Sequence, residues 1–305
     1  MTLLSSLKCR LGLGTVEIGL PYGLGVTDIP SEEQAERILK TAVDIGITYI
    51  DTARGYGLAE ERIGKFGISQ LPGVIVGTKC AQFLEKGEYP RGADLEKRIR
   101  EEIEKSRKNL RLDTLPLVQL HGPSAEQIKR GELNTIMQTL QAEGKVGHIG
   151  IATRGEDAPL AGITSGFFKT IQTAYSILDQ RMSPNVLPKA AGHAVGIINR
   201  SVLLKGVLTP KRTYLAAPLA VLQEQAKQAN LIAGELGISL PALAIRFALS
   251  HPAISVILLG TVNPKNLHAA FEATQQGPLP AEVLERLYPL AISDPNLVDP
   301  AKWPK

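Results

Sequence analysis

The chain has 305 residues, 44% of them hydrophobic and 21% charged, which is an ordinary globular composition. Its net charge of +4 is not gathered into a dense Lys/Arg block, so we predict no nucleic-acid partner. No apolar run approaches the ~20 residues needed to span a bilayer, and the start of the chain lacks a signal-peptide pattern. Two cysteines, Cys9 and Cys80, are too few for a disulfide framework or a metal cluster. We therefore predict a cytoplasmic protein without a membrane partner or a bound metal.

Strand-like and helix-like segments alternate along the chain. Apolar, β-prone runs predict strands at residues 11–18, 48–52, 74–79, 115–121, 148–153, 170–175, 195–201 and 255–259. Amphipathic, charged stretches predict helices at residues 31–43, 59–67, 93–110, 133–143, 218–236 and 240–249. Ser31 is expected to cap the first helix, and Gly144 and Gly237 stand where two later helices should end.

This alternation predicts a single α/β domain over residues 1–305. Eight strands, most of them followed by a helix, are typical of a (β/α)8 TIM barrel. A doubly wound parallel sheet shares the alternation. Its Gly-x-Gly-x-x-Gly fingerprint is missing, however, because Glu17 stands at the third glycine position after Gly12 and Gly14. We therefore favour the barrel.

Three segments are expected to be substrate loops, near residues 80–92 and 206–218 and in the C-terminal tail, residues 289–305. Loop contents decide which substrate binds to a barrel enzyme. Aromatic side chains on these segments and near the first strand are candidates for a substrate wall, with loop packing as an equal alternative: Tyr22, Phe83, Tyr89 and Trp303.

Four polar side chains lie at or just after the ends of three consecutive strands. Asp51 is at the end of the second strand, Tyr56 follows on a glycine-containing loop, and Lys79 and His121 close the third and fourth strands. In a barrel these strand ends meet at one mouth. A free phenol has a pKa near ~10 and becomes useful in proton chemistry when a cation stabilises its anion. Taken singly, Lys79 could be a surface lysine and His121 a structural histidine, but the set of four indicates a catalytic site.

These residues resemble the aldo-keto reductase superfamily. The matching motifs are Asp51-Thr52-Ala53 with Tyr56-Gly57, then Gly77-Thr78-Lys79, then Leu120-His121. The resemblance covers essentially the whole chain and implies a (β/α)8 barrel that binds NADPH or NADH without a Rossmann fold. It also implies that Tyr56 is the general acid, that Lys79 paired with Asp51 tunes Tyr56, and that His121 orients the carbonyl oxygen of the substrate.

The resemblance further implies a set of cofactor-binding residues. Gln172 and Thr153 are placed at the nicotinamide carboxamide, although the family's Ser-Asn pair is absent at the Thr153 position, and Arg200 takes the place of a stacking aromatic ring. Asn266 stands where NADPH-specific members often have an arginine, so the sequence predicts NADPH or NADH without choosing between them. The remaining implied contacts are Thr15, the pyrophosphate loop with Ser201, Leu203 and Gly206, and the adenosine end with Gly260, Thr261 and Lys265.

The predicted function is NAD(P)H-dependent reduction of an aldehyde or ketone, either a small carbonyl compound or a sugar-like one. The partner is thus a small-molecule carbonyl substrate, and the protein is expected to be a monomer or a small homo-oligomer. Two alternatives stay open at this point. One is a slow or non-catalytic NAD(P)H-binding sensor on the same barrel. The other is a lyase that uses Lys79 as a Schiff-base amine.

Overall fold

A computed structural model describes residues 3–303 of the chain. Within them, eight parallel strands form a closed barrel, with each strand paired to its neighbours in sequence and the last paired to the first. This confirms the predicted (β/α)8 barrel and excludes the doubly wound sheet. The strands are β1 (Leu11–Gly14), β2 (Tyr49–Asp51), β3 (Ile75–Cys80), β4 (Leu115–His121), β5 (Val146–Ala152), β6 (Thr170–Ala174), β7 (Gly196–Arg200) and β8 (Ile254–Gly260).

Helices surround the barrel, and most of the apolar core lies between them and the strands. Ser31 caps α1 as predicted, in a reciprocal pair of hydrogen bonds with Gln34. The helices are α1 (Glu32–Asp44), α2 (Ala59–Lys65), α3 (Gly92–Leu110), α4 (Ala125–Lys129), α5 (Glu132–Ala142), α6 (Asp157–Thr164), α7 (Val186–Gly192), α8 (Ala220–Glu235), α9 (Leu240–Leu249), α10 (Pro264–Gln275), α11 (Ala281–Leu287) and α12 (Pro295–Val298).

The predicted first strand is wrong in its second half. β1 ends at Gly14, and Val16–Ile18 form a 3-10 turn. Thr15 redirects the chain, because its backbone N–H and its hydroxyl both donate to the Asp51 carbonyl, at 3.0 and 2.8 Å. The turn brings the segment after β1 against the end of β2, at the mouth where the polar side chains lie.

The segments predicted as long loops contain short helical pieces. Residues 206–218 include the 3-10 helix Pro210–Tyr214, and the tail contains α12 and the 3-10 helix Pro300–Lys302. The last two residues of the predicted tail, 304 and 305, lie outside the described residues. Within the tail, the Trp303 indole N–H donates to the Leu297 carbonyl at 2.7 Å.

No single helix among residues 3–303 is long and apolar enough to cross a membrane. One bent pair, Ala217–Glu235 with Leu240–Leu249, reaches the required length and composition only when both halves are combined, and it is bent by 91°.

Candidate active site

A buried ion pair stands at the ends of β2 and β3. Lys79 is only 1% exposed, and its ammonium Nζ donates to Asp51 Oδ2 at 2.5 Å. The same Nζ donates to the Thr52 carbonyl at 2.9 Å and to the Tyr56 hydroxyl at 3.4 Å. An ammonium has three protons to donate, so all three have an acceptor. The lysine predicted to meet Tyr56 therefore does so while it is bound to Asp51.

The ammonium form of Lys79 is strongly favoured. Burial alone lowers the pKa of Lys79, but Asp51 and Tyr56 outweigh it and raise that pKa above its ordinary value. The other carboxylate oxygen of Asp51 accepts from Gln172 Nε2 at 2.7 Å and from Gln119 Nε2 at 3.5 Å. Amide donors from β4 and β6 thus hold Asp51 in place for Lys79.

Hydrogen bonds to β3 fix the loop that carries Tyr56. The Thr52 N–H donates to the Gly77 carbonyl at 2.9 Å, and the Arg54 N–H donates to the Lys79 carbonyl at 2.8 Å. Gly19 lies directly behind the loop, where a Cβ would be 1.9 Å from the Tyr56 carbonyl oxygen. The position of the phenol is therefore set by backbone contacts on both sides rather than by the flexibility of its own loop.

His121 faces Tyr56 across the mouth. The two ring centroids are 6.2 Å apart and the rings are nearly perpendicular, at 84°. Burial, followed by the positive charge of Lys79, lowers the pKa of His121 to about 3. The imidazole is therefore neutral at physiological pH, with one ring N–H available to donate.

The buried, neutral His121 should make the fold sensitive to acid. The native imidazole takes up a proton only near pH 3, whereas the unfolded one does so near pH 6.5. The neutral imidazole makes its full contribution to the free energy of unfolding above pH 6.5 and loses it as the pH falls towards 3. The loss is about 2 kcal/mol between pH 6.5 and 5. Urea unfolding at several pH values should show this slope in the wild type and a shallower slope in His121→Asn. Equal slopes would contradict a neutral His121.

One cavity of about 840 Å³ opens at this mouth. Asp51, Tyr56 and His121 line it, while Lys79 lies behind them in the wall. Nearly all of the predicted cofactor residues share the cavity: Thr15, Thr153, Gln172, Arg200, Ser201, Leu203, Gly206, Gly260, Thr261 and Asn266. Lys265 is not among the lining residues and is exposed on α10.

Two predicted cofactor residues also bind other parts of the wall. Gln172 donates to Asp51, as described above, so its amide N–H2 is already partly engaged. Arg200 donates to the Thr153 carbonyl at 3.0 Å and to the Ser201 hydroxyl at 3.2 Å. The guanidinium is therefore held by β5 and by the loop after β7.

The loop after β7 has the form of an anion-binding turn. Ser201, Leu204 and Lys205 have positive φ angles of 62°, 43° and 54°, which non-glycine residues rarely adopt. Among the described residues, the backbone N–H groups of Val202 and Leu203 have no acceptor. Free N–H groups in such a turn form a concave site for an anion. Such a turn suits an anion such as a phosphate.

Of the four aromatic candidates, only Tyr22 lines the cavity. Phe83 is buried and Tyr89 is exposed. The Lys205 ammonium lies 5.6 Å from the Tyr22 ring and 5.8 Å from the Trp303 ring. Lys205 thus connects the loop after β1 with the tail.

Several charged residues line the cavity that no sequence pattern had singled out. Glu85 follows β3 and Arg154 follows β5, and both line the cavity beside His121. Glu17 and Lys211 line its other part, and burial raises the pKa of Glu17 while Lys211 opposes that shift. In the sequence, these residues can be recognised only by their position after the end of a strand. Many loop residues share that position, and it does not tell which of them point into the cavity.

The Aldo/keto reductase family profile matches residues 10–291. The chain belongs to the aldo-keto reductase family. It is therefore an oxidoreductase, as the sequence predicted. D-threo-aldose 1-dehydrogenase from a Pseudomonas species is 29% identical over 290 residues, covering 84% of this chain and 86% of that protein. NADH-specific methylglyoxal reductase from Escherichia coli is 32% identical over 216 residues, covering 66% and 65% of the two chains.

Solved structures share the fold of this aldo-keto reductase. Aldo-keto reductase AKR11C1 from Bacillus halodurans, in its holo form, superposes with a TM-score of 0.77 and 24% sequence identity, over 93% of both chains. At this identity the likeness supports the barrel fold alone.

Proposed function

We propose that this protein reduces an aldehyde or ketone to the alcohol with NADPH or NADH. The observation that carries the proposal is the Lys79 ammonium, bound at once to Asp51 and to the Tyr56 hydroxyl in the wall of the cavity. A cation held against a phenol favours the release of the phenol's proton. The neutral His121 beside it supplies a second hydrogen-bond donor for the same oxygen.

Each side chain of the mouth has a part in this reaction. Tyr56 gives its proton to the carbonyl oxygen, and the charged Lys79 stabilises the phenolate that forms. His121 donates a hydrogen bond that orients the carbonyl, so that fixed donors meet the negative charge as it develops. Asp51, held by Gln119 and Gln172, keeps Lys79 charged and in position. A bound nicotinamide supplies the hydride.

The structure opposes the Schiff-base alternative. A lysine that attacks a carbonyl must be a neutral amine with access to the substrate. The pKa of Lys79 is raised by Asp51 and Tyr56 against the effect of burial, its three protons are engaged, and it is 1% exposed.

Turnover separates a reductase from a cofactor sensor. The protein is mixed with NADPH or NADH and a generic aldehyde, and loss of the reduced cofactor is followed spectroscopically. A reductase gives oxidation that depends on both the aldehyde and the protein. Tight cofactor binding without oxidation for a broad panel of aldehydes and ketones would instead favour the sensor.

Use of NADH alongside NADPH is part of the proposal. Asn266 lines the cavity without a positive charge, and Lys265 lies outside the lining. Neither residue is an arginine, the side chain that can bind a 2′-phosphate through two hydrogen bonds. The name of one relative points the same way, since it is an NADH-specific methylglyoxal reductase. The name of another relative, D-threo-aldose 1-dehydrogenase, bears on the substrate. A sugar-like or small polar carbonyl substrate fits both names.

Asn266→Arg should shift the preference towards NADPH. The new guanidinium would stand in the cavity, and a charge-assisted hydrogen bond to a phosphate should raise the NADPH:NADH affinity ratio by about tenfold or more. Fluorescence titration of both cofactors measures the ratio. His268→Arg adds the same charge to an exposed site on α10 outside the lining and is the matched control. If Asn266→Arg leaves the NADPH:NADH affinity ratio unchanged, Asn266 does not belong to the proposed cofactor site.

A cytoplasmic location and a monomeric or small homo-oligomeric state stay predictions.

A further inference from the structure

A carboxylate stands beside the group that is proposed to orient the substrate carbonyl. Glu85 Oε2 lies 3.9 Å from His121 Nε2, and both side chains line the cavity with Tyr56. This approach depends on Gly122, whose φ is +75° and where a Cβ would lie 2.4 Å from the Glu85 Cβ. Glu85 is thus packed against the end of β4 rather than extended into solvent.

The Glu85 carboxylate is ionised and held on one side only. Its Oε1 accepts from Arg154 Nε at 2.5 Å, and Arg154 also binds Asp299 of the tail at 2.5 Å. Burial raises the pKa of Glu85, but the charge and the hydrogen bond of Arg154 oppose it most strongly, and the pKa lies below its ordinary value. Among the described residues, Oε2 accepts no hydrogen bond. The Glu85 side chain is about four-fifths buried, and a charged oxygen in such a site gains from a donor.

The protein does not supply that donor through His121. The 3.9 Å separation is beyond hydrogen-bond distance, and the imidazole is neutral, so the two do not form an ion pair. If the single cavity-facing N–H of His121 binds a carbonyl oxygen, the nearest donor to Glu85 must come from the substrate. Oxygens on adjacent carbons are separated by roughly the length of one hydrogen bond. A hydroxyl next to the carbonyl is therefore in reach of Oε2.

We propose that Glu85 is a specificity-determining residue that binds a hydroxyl on the carbon adjacent to the substrate carbonyl. The inference rests on the proposed reductase function and names its substrate class as 2-hydroxy-aldehydes and hydroxy-ketones. Arg154 is a positioning residue, since it fixes one oxygen of the carboxylate and leaves the other to the substrate. A carbonyl compound without the hydroxyl offers Oε2 no donor, which makes its binding less favourable.

Lactaldehyde and propanal test the proposal, because they differ only in this hydroxyl. The kcat/KM of each is measured with the better cofactor and expressed per free aldehyde. The wild type should prefer lactaldehyde, and Glu85→Gln should lower the lactaldehyde:propanal ratio by about tenfold, since a hydrogen bond to a charge is replaced by one to a neutral amide. Asp299→Asn removes the negative charge from the tail contact of Arg154 but keeps Glu85, and should leave the ratio within about twofold.

Each outcome of this experiment either supports or overturns the inference. A wild-type ratio at or below one overturns the inference, and this measurement needs no variant that might fail to fold. A Glu85→Gln ratio equal to that of the wild type also overturns it. If the wild type reduces propanal and not lactaldehyde, the reductase function stands and the role of Glu85 falls. Reduction of neither aldehyde, nor of any other carbonyl compound, overturns the proposed function together with this inference.

Discussion

Tyr56→Phe is expected to abolish most carbonyl reduction while leaving the fold and cofactor binding nearly unchanged. The variant removes only the phenolic hydroxyl, which accepts from Lys79 Nζ at 3.4 Å and is the proposed proton donor. General acid catalysis typically contributes about 10²–10⁴-fold, so kcat should fall by that factor. Steady-state kinetics with an aldehyde and reduced cofactor measures the loss.

The matched control for Tyr56→Phe is Tyr22→Phe. Tyr22 lines the same cavity and is the other tyrosine near it, but it does not contact Lys79 Nζ. Loss of the Tyr22 hydroxyl should lower kcat far less than loss of the Tyr56 hydroxyl. Cofactor titration of Tyr56→Phe should give a dissociation constant close to that of the wild type. Wild-type turnover in Tyr56→Phe would contradict the assignment of Tyr56 as the acid.

Lys79→Met should lower both turnover and the free energy of unfolding. It leaves Asp51, which is 3% exposed, without its cation, and breaking a buried ion pair costs about 3–5 kcal/mol. It also removes the charge that stabilises the Tyr56 phenolate. Urea unfolding measures the stability, and kcat measures the catalytic loss, which should be about 10²-fold or more.

A double variant separates these two effects of Lys79. Asp51→Asn with Lys79→Met removes the unpaired charge, so much of the lost stability should return while turnover stays low. Lys40→Met is the surface control, since Lys40 pairs with Glu36 on α1 at 2.7 Å in an exposed site and should change the stability little. Recovery of turnover in the double variant would mean that Lys79 acts only through stability.

The architecture could be predicted because apolar residues recur along the sequence at the spacings typical of strands and helices. Strand and helix ends that were predicted agree with the structure to within two residues, apart from the first strand. That strand failed because a long-range contact ends it: Thr15 binds the Asp51 carbonyl, 36 residues away. Short helices such as α4 and α12 were missed, since four or five residues carry too little pattern to be seen.

The mouth of the barrel was predictable only in part. Asp51, Lys79 and His121 stand at strand ends, and the closed barrel gathers strand ends by geometry, so their meeting followed from position alone. Glu85 and Arg154 lie on loops, whose direction depends on contacts such as the approach of Glu85 to Gly122. Such contacts are set by the tertiary packing and leave no local signature.

Transfer of deuterium from the reduced cofactor to the product would show directly whether this protein moves a hydride to a carbonyl carbon. NADPH and NADH that carry deuterium at the hydride-donor position are each incubated with the protein and an aldehyde, and the alcohol is analysed by mass spectrometry. We expect one deuterium on the former carbonyl carbon with at least one cofactor, and a strongly reduced yield with Tyr56→Phe. Unlabelled alcohol, or no alcohol from any aldehyde or ketone with either cofactor, would contradict it.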